Sequence, residues 1–253
     1  MAEVRREARE ELKKEIGILS ALRHPNIVCM IAFDSKYIVM DMYQGNARKL
    51  RSLGDMAIVG RDCMRGVSYM HLHGKCVVHG DIKPDNILVN YDANGNVSKA
   101  ALGDVGLARA CATALRDRGF QGTPGYTSMP NPVVDSMHDV YSLAVSLLDA
   151  FLGKDPGDVH ASNDKYSLDD NTSSFLTQLS DSAYRDVVSK MLSTYIRNKG
   201  SKAEKGELLR DIMFGWDSIA NNLYANSGMS QISIPSGQSV DPLTAMSVVN
   251  TSY

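Results

Sequence analysis

The chain has 253 residues, of which 43% are hydrophobic and 22% are charged, so it is long enough to bury a large core and is predicted to be globular. The formal net charge of -2, without a long basic run, argues against binding to nucleic acid or to an acidic membrane and favours a small-molecule or protein partner. The four cysteines show no C-x-x-C spacing, which predicts neither a zinc site nor a disulfide framework and indicates an intracellular protein, cytoplasmic or nuclear.

The first third of the chain predicts a helix, two strands and a second helix. Residues 3–22 carry apolar side chains every three or four positions and opposite charges one turn apart, as in an amphipathic helix. This start lacks the apolar core of a signal peptide. Residues 27–33 and 37–43 are apolar runs that predict two short buried strands, each far too short to span a bilayer. Helical spacing returns over residues 56–73 and ends before Gly74.

The middle of the chain predicts a β-hairpin, and the part after it is mostly helical. Asn94 and Gly95 form a hairpin signal between two strand-like runs, so Val89 and Leu102 are expected on neighbouring antiparallel strands. Three further helices are predicted at residues 137–153, 182–196 and 204–224.

The loop "VVHGDIKPDNILVN" holds the residue types that carry chemistry. His79, Asp81, Lys83 and Asn86 lie two, two and three positions apart, and Asp104 follows in "LGDVGLA". If the hairpin closes, two carboxylates, a lysine and an amide converge. Phosphoryl transfer from a nucleotide needs oxygen ligands for magnesium, a positive charge for the migrating phosphoryl group and an acceptor for the hydroxyl proton. Taken alone, Asp81 could also be a solvated aspartate beside a proline turn.

The motifs "HGDIKPDNIL", "GDVGLA", "GTPGYTSMP" and "HDVYSLAVSLL" follow one another in an order and spacing that resembles the protein kinase family. By this resemblance Asp81 is the catalytic base and Lys83 contacts the migrating phosphate, while Asn86 and Asp104 are the magnesium ligands. The position of the lysine, together with Thr123 in "GTPGY", resembles the Ser/Thr subclass. The resemblance implies ATP and Mg²⁺ as cofactors and a protein substrate that bears Ser or Thr.

Other positions match the nucleotide site of the same family. Glu15, in "ELKKEIGILSALRHPNIV", matches the glutamate of the family's mobile helix. Asp41, Met42 and Tyr43 resemble the segment that links the two lobes and whose backbone meets adenine. Leu88 lies where the large lobe supplies an apolar floor beneath that base.

Several of these residues have a plainer alternative role. Asp139, in "HDVYSL", resembles a buried aspartate that ties the central helix to the catalytic loop, so it is expected to be structural. His79 is expected to be a packed structural residue, because Asp81 already supplies the base. Glu15 could be an ordinary charged helix residue, and Asp104 could be a simple turn residue.

The resemblance implies an α+β, two-lobed protein-kinase-like fold with a curtailed small β lobe. Residues 1–43 are then a partial small lobe with a helix and two strands, and residues 44–226 are the mostly helical large lobe. Residues 227–253 are Ser-rich without a helical period and are expected to be a loose tail.

The sequence departs from the family pattern in four places. The family has a glycine-rich loop and a strand lysine ahead of its glutamate helix, whereas fourteen residues precede Glu15 here. Because those parts position the phosphates, their absence is expected to slow the reaction by several powers of ten. Gly80 replaces an arginine that usually receives an activation-loop phosphate, and Val105 replaces a phenylalanine. Pro130 replaces a glutamate that would pair with an arginine, here Arg197.

Two functions remain open from the sequence. The first is a Ser/Thr protein kinase, because every catalytic group of the large lobe is retained. The second is a catalytically impaired pseudokinase that acts as a scaffold or regulatory binding module. In that case a regulatory protein would bind the small-lobe sheet, which is expected to have an uncovered edge and face and to contain Ile27, Val28, Ile31, Ile38 and Val39.

Overall fold

The computed structural model of the chain describes residues 10, 13, 15–34, 37–72, 76–106, 108–110, 122–126, 136–153, 176–194 and 202–227. The main helices are α1 (residues 15–21), α2 (Leu53–Leu72), α3 (Ser136–Leu152), α4 (Ser182–Ser193) and α5 (Lys202–Ser227). The strands are β1 (Met30–Phe33), β2 (Ile38–Met40), β3 (Gly45–Asn46), β4 (Val77–Val78), β5 (Ile87–Tyr91), β6 (Val97–Leu102) and β7 (Arg109–Ala110). A short 3-10 helix, Pro84–Asn86, precedes β5.

Helix α2 lies at the centre of the fold and packs against strand β6, helix α3 and helix α5. Its apolar residues recur every three or four positions and are fully buried at Met56, Val59 and Cys63. The Ser52 hydroxyl accepts a hydrogen bond of 3.0 Å from the N–H of Asp55, which satisfies one of the unpaired donors at the start of the helix. Since α2 is covered on several sides, its polar side chains need partners inside the protein.

Two buried aspartates of α2 bind the backbone of strand β6. Asp55 Oδ1 accepts a hydrogen bond of 2.8 Å from the N–H of Val97. Asp62 Oδ2 accepts one of 2.9 Å from the N–H of Ala100, and Arg61 Nε donates to the other oxygen of Asp62 at 2.9 Å. Strand β6 is the outer strand of the sheet β3-β5-β6, so these bonds satisfy donors that an edge strand would otherwise leave unpaired.

Strands β5 and β6 form the predicted antiparallel hairpin, in which Val89 pairs with Ala100. At its turn, Asp92 Oδ1 accepts hydrogen bonds from the N–H groups of Asn94 at 2.8 Å and Asn96 at 2.9 Å. Gly95 has φ of 80°, a left-handed conformation that glycine adopts without steric cost. The predicted hairpin is confirmed, and it brings the two motif-bearing loops to the same end of the sheet.

Strands β1 and β2 form a separate antiparallel pair beside α1. The prediction that these strands are buried is wrong, because Ile31, Phe33 and Val39 are 64%, 56% and 51% exposed. Ile27 and Val28, just before β1, are the residues that reach the core, and the Val28 N–H donates to the Leu102 carbonyl at 2.8 Å. The β1–β2 pair is therefore joined to the core through its first residues and not through a covered sheet face.

The helices α3, α4 and α5 complete the core, and the three predicted helices there are confirmed. Trp216 of α5 is fully buried, and its Nε1 donates to Met191 Sδ at 3.2 Å. The ring of Tyr184 meets it edge-on, with 5.9 Å between centroids. A Cβ at Gly60 would lie 2.7 Å from the Trp216 ring, so a residue without a side chain is needed at this point of α2.

The remaining predictions have mixed outcomes. Cys29 and Cys63 are free, whereas Cys76 is disulfide-bonded, which the prediction of no disulfide framework did not anticipate. Spacing along the sequence cannot reveal a disulfide between positions that only the fold brings together. Among the described helices, none is long and apolar enough to cross a membrane. The predicted tail lies outside the described residues apart from Ser227, which ends α5.

Candidate active site

A buried aspartate near the start of α3 organises the loop that carries the predicted site. The Asp139 carboxylate accepts hydrogen bonds from the backbone N–H groups of His79 at 2.8 Å and Gly80 at 2.9 Å. His71 Nε2, on α2, lies 2.8 Å from Asp139 Oδ2. Burial alone would raise the pKa of Asp139, but the hydrogen bond and charge of His71, with the loop contacts, outweigh it and lower the pKa. An ionised Asp139 therefore fixes the backbone just before Asp81.

His79 ties this loop to the strand on the opposite side of the site. Its side chain is fully buried, and its Nε2 lies 2.9 Å from the Gly103 carbonyl oxygen. Its Nδ1 accepts a hydrogen bond of 3.3 Å from the Asp81 N–H. His79 thus contacts the residue before Asp104 as well as the backbone of Asp81, which is a structural role.

Asp81 lies at the centre of a network of four polar side chains. Lys83 Nζ donates to Asp81 Oδ2 at 2.9 Å, and the Thr123 hydroxyl donates to Asp81 Oδ1 at 2.7 Å. Lys83 Nζ also donates to Thr123 Oγ1 at 2.7 Å. Asn86 Nδ2 donates to the Asp81 carbonyl at 2.8 Å and to its carboxylate at 3.0 Å. Three of the predicted site residues therefore meet in one network, together with Thr123.

The charge of Asp81 follows from this network. Burial would raise the pKa of Asp81, but hydrogen bonds from Thr123 and Lys83 and the charge of Lys83 more than compensate, and the pKa is lowered. Asp81 is ionised at neutral pH. It is an acceptor of hydrogen bonds on both carboxylate oxygens, which is the property that a group needs in order to orient a hydroxyl.

Asn86 and Asp104 are connected through the backbone between them. The Gly103 N–H donates to the Asn86 carbonyl at 2.8 Å. Asp104 has φ of 51° and is exposed, and its Oδ1 accepts from the Gly106 N–H at 3.3 Å. The Asn86 amide nitrogen faces Asp81, which leaves the amide oxygen as an acceptor for a cation.

These two residues are a suitable donor set for magnesium. In the described part of the chain, no group of three or more His, Cys, Asp or Glu side chains could hold a metal by itself. Magnesium is commonly bound by one or two protein oxygens together with the phosphates of a nucleotide, so it does not need such a group. One carboxylate from Asp104 and one amide oxygen from Asn86 fit that pattern.

Glu15 of α1 faces the same region. Burial and the negative charge of Asp104 raise the pKa of Glu15. Among the described residues, Glu15 makes no ion pair. The structure therefore brings Glu15 within electrostatic range of Asp104.

The predicted adenine-binding segment joins β2 to β3. Met42 is 91% exposed, and the Asp41 N–H donates to the Cys29 carbonyl at 3.0 Å. Tyr43 is half-buried, with Lys99 Nζ 5.6 Å from its ring centroid. Strand β3 then pairs with β5, where Asn46 faces Leu88. The segment thus enters the sheet strand that carries Leu88.

Comparison with known proteins decides the family. The sequence matches the family model of the protein kinase domain over residues 1–205. The chain belongs to the protein kinase family. Its α+β architecture, with small antiparallel sheets and a mostly helical larger part, agrees with the predicted kinase-like fold.

The similar kinases are larger proteins. The chain is 35% identical over 130 residues to calcium/calmodulin-dependent protein kinase type II of Caenorhabditis briggsae, which covers 47% of this chain and 24% of that kinase. It is 28% identical over 213 residues to the smooth muscle myosin light chain kinase of Gallus gallus, covering 76% of this chain and 11% of that kinase. It is 30% identical over 181 residues to receptor-like kinase TMK2 of Arabidopsis thaliana, covering 63% of this chain and 20% of that kinase. The chain spans less than a quarter of the length of these relatives.

Two departures of this chain from the family pattern have a local explanation. Gly80 has φ of 81°, and a glycine adopts this left-handed conformation at no cost where an arginine would be strained. Val105 is 1% exposed, so valine keeps an apolar side chain in the core at a position where the family has a larger one. Pro130 and Arg197 lie outside the described residues.

The sequence did not reveal all contacts of the candidate site. Thr123 was noticed as a sign of the Ser/Thr subclass, but its hydrogen bonds to Asp81 and Lys83 span about forty residues of chain. His71 was missed, because a histidine in the last turn of a helix carries no local sign of a buried contact with Asp139. The sequence indicated the contact of His71 only in that a polar side chain without an evident role stands on a helix with apolar periodicity.

Proposed function

We propose that this kinase-family chain is a Ser/Thr protein kinase that transfers the γ-phosphate of ATP to hydroxyl groups of proteins. The observation that carries the proposal is the convergence of Asp81, Lys83, Thr123 and Asn86 in one hydrogen-bonded network. A carboxylate and a lysine that share a hydroxyl between them can hold an incoming serine or threonine in the same way.

Each predicted catalytic residue has a role in this reaction. Asp81 accepts the hydrogen bond of the attacking hydroxyl and takes its proton as the new O–P bond forms and the bond to ADP breaks. Lys83 stabilises the negative charge of the migrating phosphoryl group. Asn86 and Asp104 would hold magnesium, which neutralises charge on the phosphates of the nucleotide.

The nucleotide base is proposed to lie between the Asp41–Tyr43 segment and Leu88. The backbone of Met42 supplies hydrogen-bonding groups beside an exposed side chain, and half-buried Leu88 supplies an apolar surface. Glu15 completes the phosphate side of this site, where burial and, to a smaller extent, the negative charge of Asp104 raise its pKa. A basic group or a metal ion near Glu15 and Asp104 would lower that pKa again.

The alternative is a pseudokinase that binds a regulatory protein through the β1–β2 pair. It is supported by the exposed apolar side chains of Ile31, Phe33 and Val39 on the β1–β2 pair, because apolar residues exposed together often mark a protein-binding surface. A groove of about 410 Å³ between α1 and β1, lined by residues such as Leu19 and Met30, continues this surface.

Phosphate transfer from radiolabelled ATP to a mixture of Ser/Thr-containing proteins tests the proposal. We expect magnesium-dependent transfer that falls by about 10²–10⁴-fold in Asp81→Asn, as for loss of a general base. Asp211→Asn, an exposed aspartate of α5, is the matched control and should retain full activity. Transfer that is equal in the Asp81 variant would contradict the assigned mechanism, and absence of transfer under all conditions would favour the pseudokinase.

A further inference from the structure

A second group of charged side chains lies beside the catalytic turn. Arg48, just after β3, donates from Nε to Asp85 Oδ1 at 2.6 Å and from a terminal nitrogen to Asp85 Oδ2 at 2.5 Å. Asp85 belongs to the 3-10 helix Pro84–Asn86, so it lies in sequence between Lys83 and Asn86. The pair is therefore attached directly to the turn that carries the catalytic lysine and a magnesium ligand.

The same surface contains a further carboxylate. Tyr126, three residues after Thr123, donates from its hydroxyl to Asp149 Oδ2 at 2.6 Å. Burial and Asp149 raise the pKa of Tyr126, while the charges of Arg48 and Asp85 also act on it, so the four groups lie within electrostatic range of one another. Two carboxylates and one guanidinium give this group a net negative charge.

We propose that Arg48 is a specificity-determining residue, which occupies Asp85 and thereby denies this carboxylate to a basic side chain of the protein substrate. The inference rests on the proposed kinase function, because it concerns which hydroxyl-bearing peptides reach Asp81. An acidic surface next to the catalytic turn would otherwise select substrates with arginine or lysine near the acceptor residue. With Arg48 in place, that selection is suppressed.

Competition by an internal arginine is effective for two reasons. The Arg48–Asp85 contact is bidentate and charge-assisted, the strongest form of arginine–carboxylate contact. Arg48 is also held close to Asp85 by its own backbone, because its N–H donates to Asn46 Oδ1 at 3.2 Å. A tethered group has an effective concentration of about millimolar, which exceeds a peptide at micromolar concentration.

The contact is nevertheless not part of the core. The side chain of Arg48 is 63% exposed and that of Asp85 is 34% exposed. Exposed ion pairs contribute little to folding, so removal of Arg48 should leave the fold intact and leave Asp85 accessible. The arginine therefore acts on substrate choice and not on stability.

The test is a set of serine-centred peptides in which arginine replaces alanine at one flanking position at a time. Binding to the full chain is measured by fluorescence anisotropy, and phosphate incorporation is measured in parallel. The wild-type protein should bind all peptides of the set with similar affinity, wherever the arginine stands. Arg48→Ala should bind peptides with arginine at one or two positions roughly tenfold more tightly, as for one charge-assisted contact. Arg51→Ala, which removes the same charge three residues away, is the control and should bind all the peptides with similar affinity, as the wild type does.

The double variant Arg48→Ala, Asp85→Asn should no longer bind arginine-containing peptides more tightly, because the carboxylate that Arg48→Ala exposes is removed. A wild-type profile that already selects arginine as strongly as the Arg48 variant would overturn the inference. So would an Arg48 variant with a flat binding profile. If binding shifts as expected but no phosphate is incorporated, the inference stands and the proposed kinase activity fails.

Discussion

The hairpins β1–β2 and β5–β6 have similar apolar sequences, but only one of them is covered. In β5–β6, Val89 and Ala100 are fully buried, because α2 packs on the hairpin and its aspartates bind β6. In β1–β2, Ile31 is 64% exposed and Val39 is 51% exposed. A two-stranded pair is marginal in water without a packed face, so the difference lies in what covers each hairpin and not in its local sequence.

This difference divides the candidate kinase site into two parts. Asp81, Asn86 and Asp104 belong to loops held by the covered hairpin and by buried Asp139. Glu15 and the Asp41–Tyr43 segment belong to the side of the exposed hairpin. We therefore expect the proposed catalytic and magnesium-binding groups to depend on the helical core, and the β1–β2 side to respond more to partners than to core substitutions.

The largest effect on stability is expected for removal of Trp216, the buried tryptophan that packs against α2. Trp216→Ala leaves a cavity against Gly60 and should lower the free energy of unfolding by about 3–5 kcal/mol. Phe214→Ala, two residues earlier on α5, is the matched control, because Phe214 is 76% exposed and its loss should change little. Chemical denaturation of both variants measures the difference, and similar values for the two would break the contrast between covered and exposed surfaces.

A smaller effect on stability is expected when the pH is lowered, because of His24 in the loop between α1 and β1. His24 stacks on Tyr69 with 4.9 Å between ring centroids, and its Nδ1 accepts from the Asn26 N–H at 3.1 Å. Burial, aided by the charge of Arg65, lowers the pKa of His24 to about 4. Its unfolded pKa is about 6.5, so between these values only the unfolded chain takes up the proton.

The contribution of His24 to stability is therefore complete above about pH 6.5 and is lost as the pH falls toward 4. Denaturant unfolding at pH 7 and pH 5 measures this change. His24→Asn keeps a side-chain acceptor but does not titrate in this range, so the variant should lose less stability than the wild type between the two pH values. An equal loss in both proteins would show that His24 is not buried as described.

The smallest effect on stability is expected on the exposed hairpin. Ile31→Thr should change the free energy of unfolding by less than about 0.5 kcal/mol, as for other surface substitutions. Val89→Thr, a comparable change at a fully buried strand position, should cost clearly more because it buries a hydroxyl. If Ile31→Thr proves as costly as Val89→Thr in denaturant melts, another element covers β1–β2 in solution.

Local sequence patterns predicted most elements but not their environment. The period of α2, the Asn94–Gly95 turn and the order of the motifs around Asp81 are properties of neighbouring residues, so they are readable in the chain. The prediction of a buried strand around Ile31 was wrong, because an apolar run has the same pattern whether or not another element covers it.

The same limit applies to the site. The pairing of Arg48 with Asp85 joins residues thirty-seven positions apart, and His71 meets Asp139 across sixty-eight. No periodicity or motif spacing reports such contacts, since they depend on how the elements pack. The roles proposed for Asp81 and Asp104 rest on motifs that are short and continuous in sequence.

Thermal unfolding with ATP and magnesium tests most directly whether the covered part of the site binds nucleotide. A ligand present at about one hundred times its Kd stabilises a protein by about 2.7 kcal/mol, which gives a measurable rise in Tm. We predict a rise that requires magnesium and is lost in Asp104→Asn and Asn86→Ala. No shift at millimolar ATP, or a shift that persists in both variants, would contradict the assignment of this site.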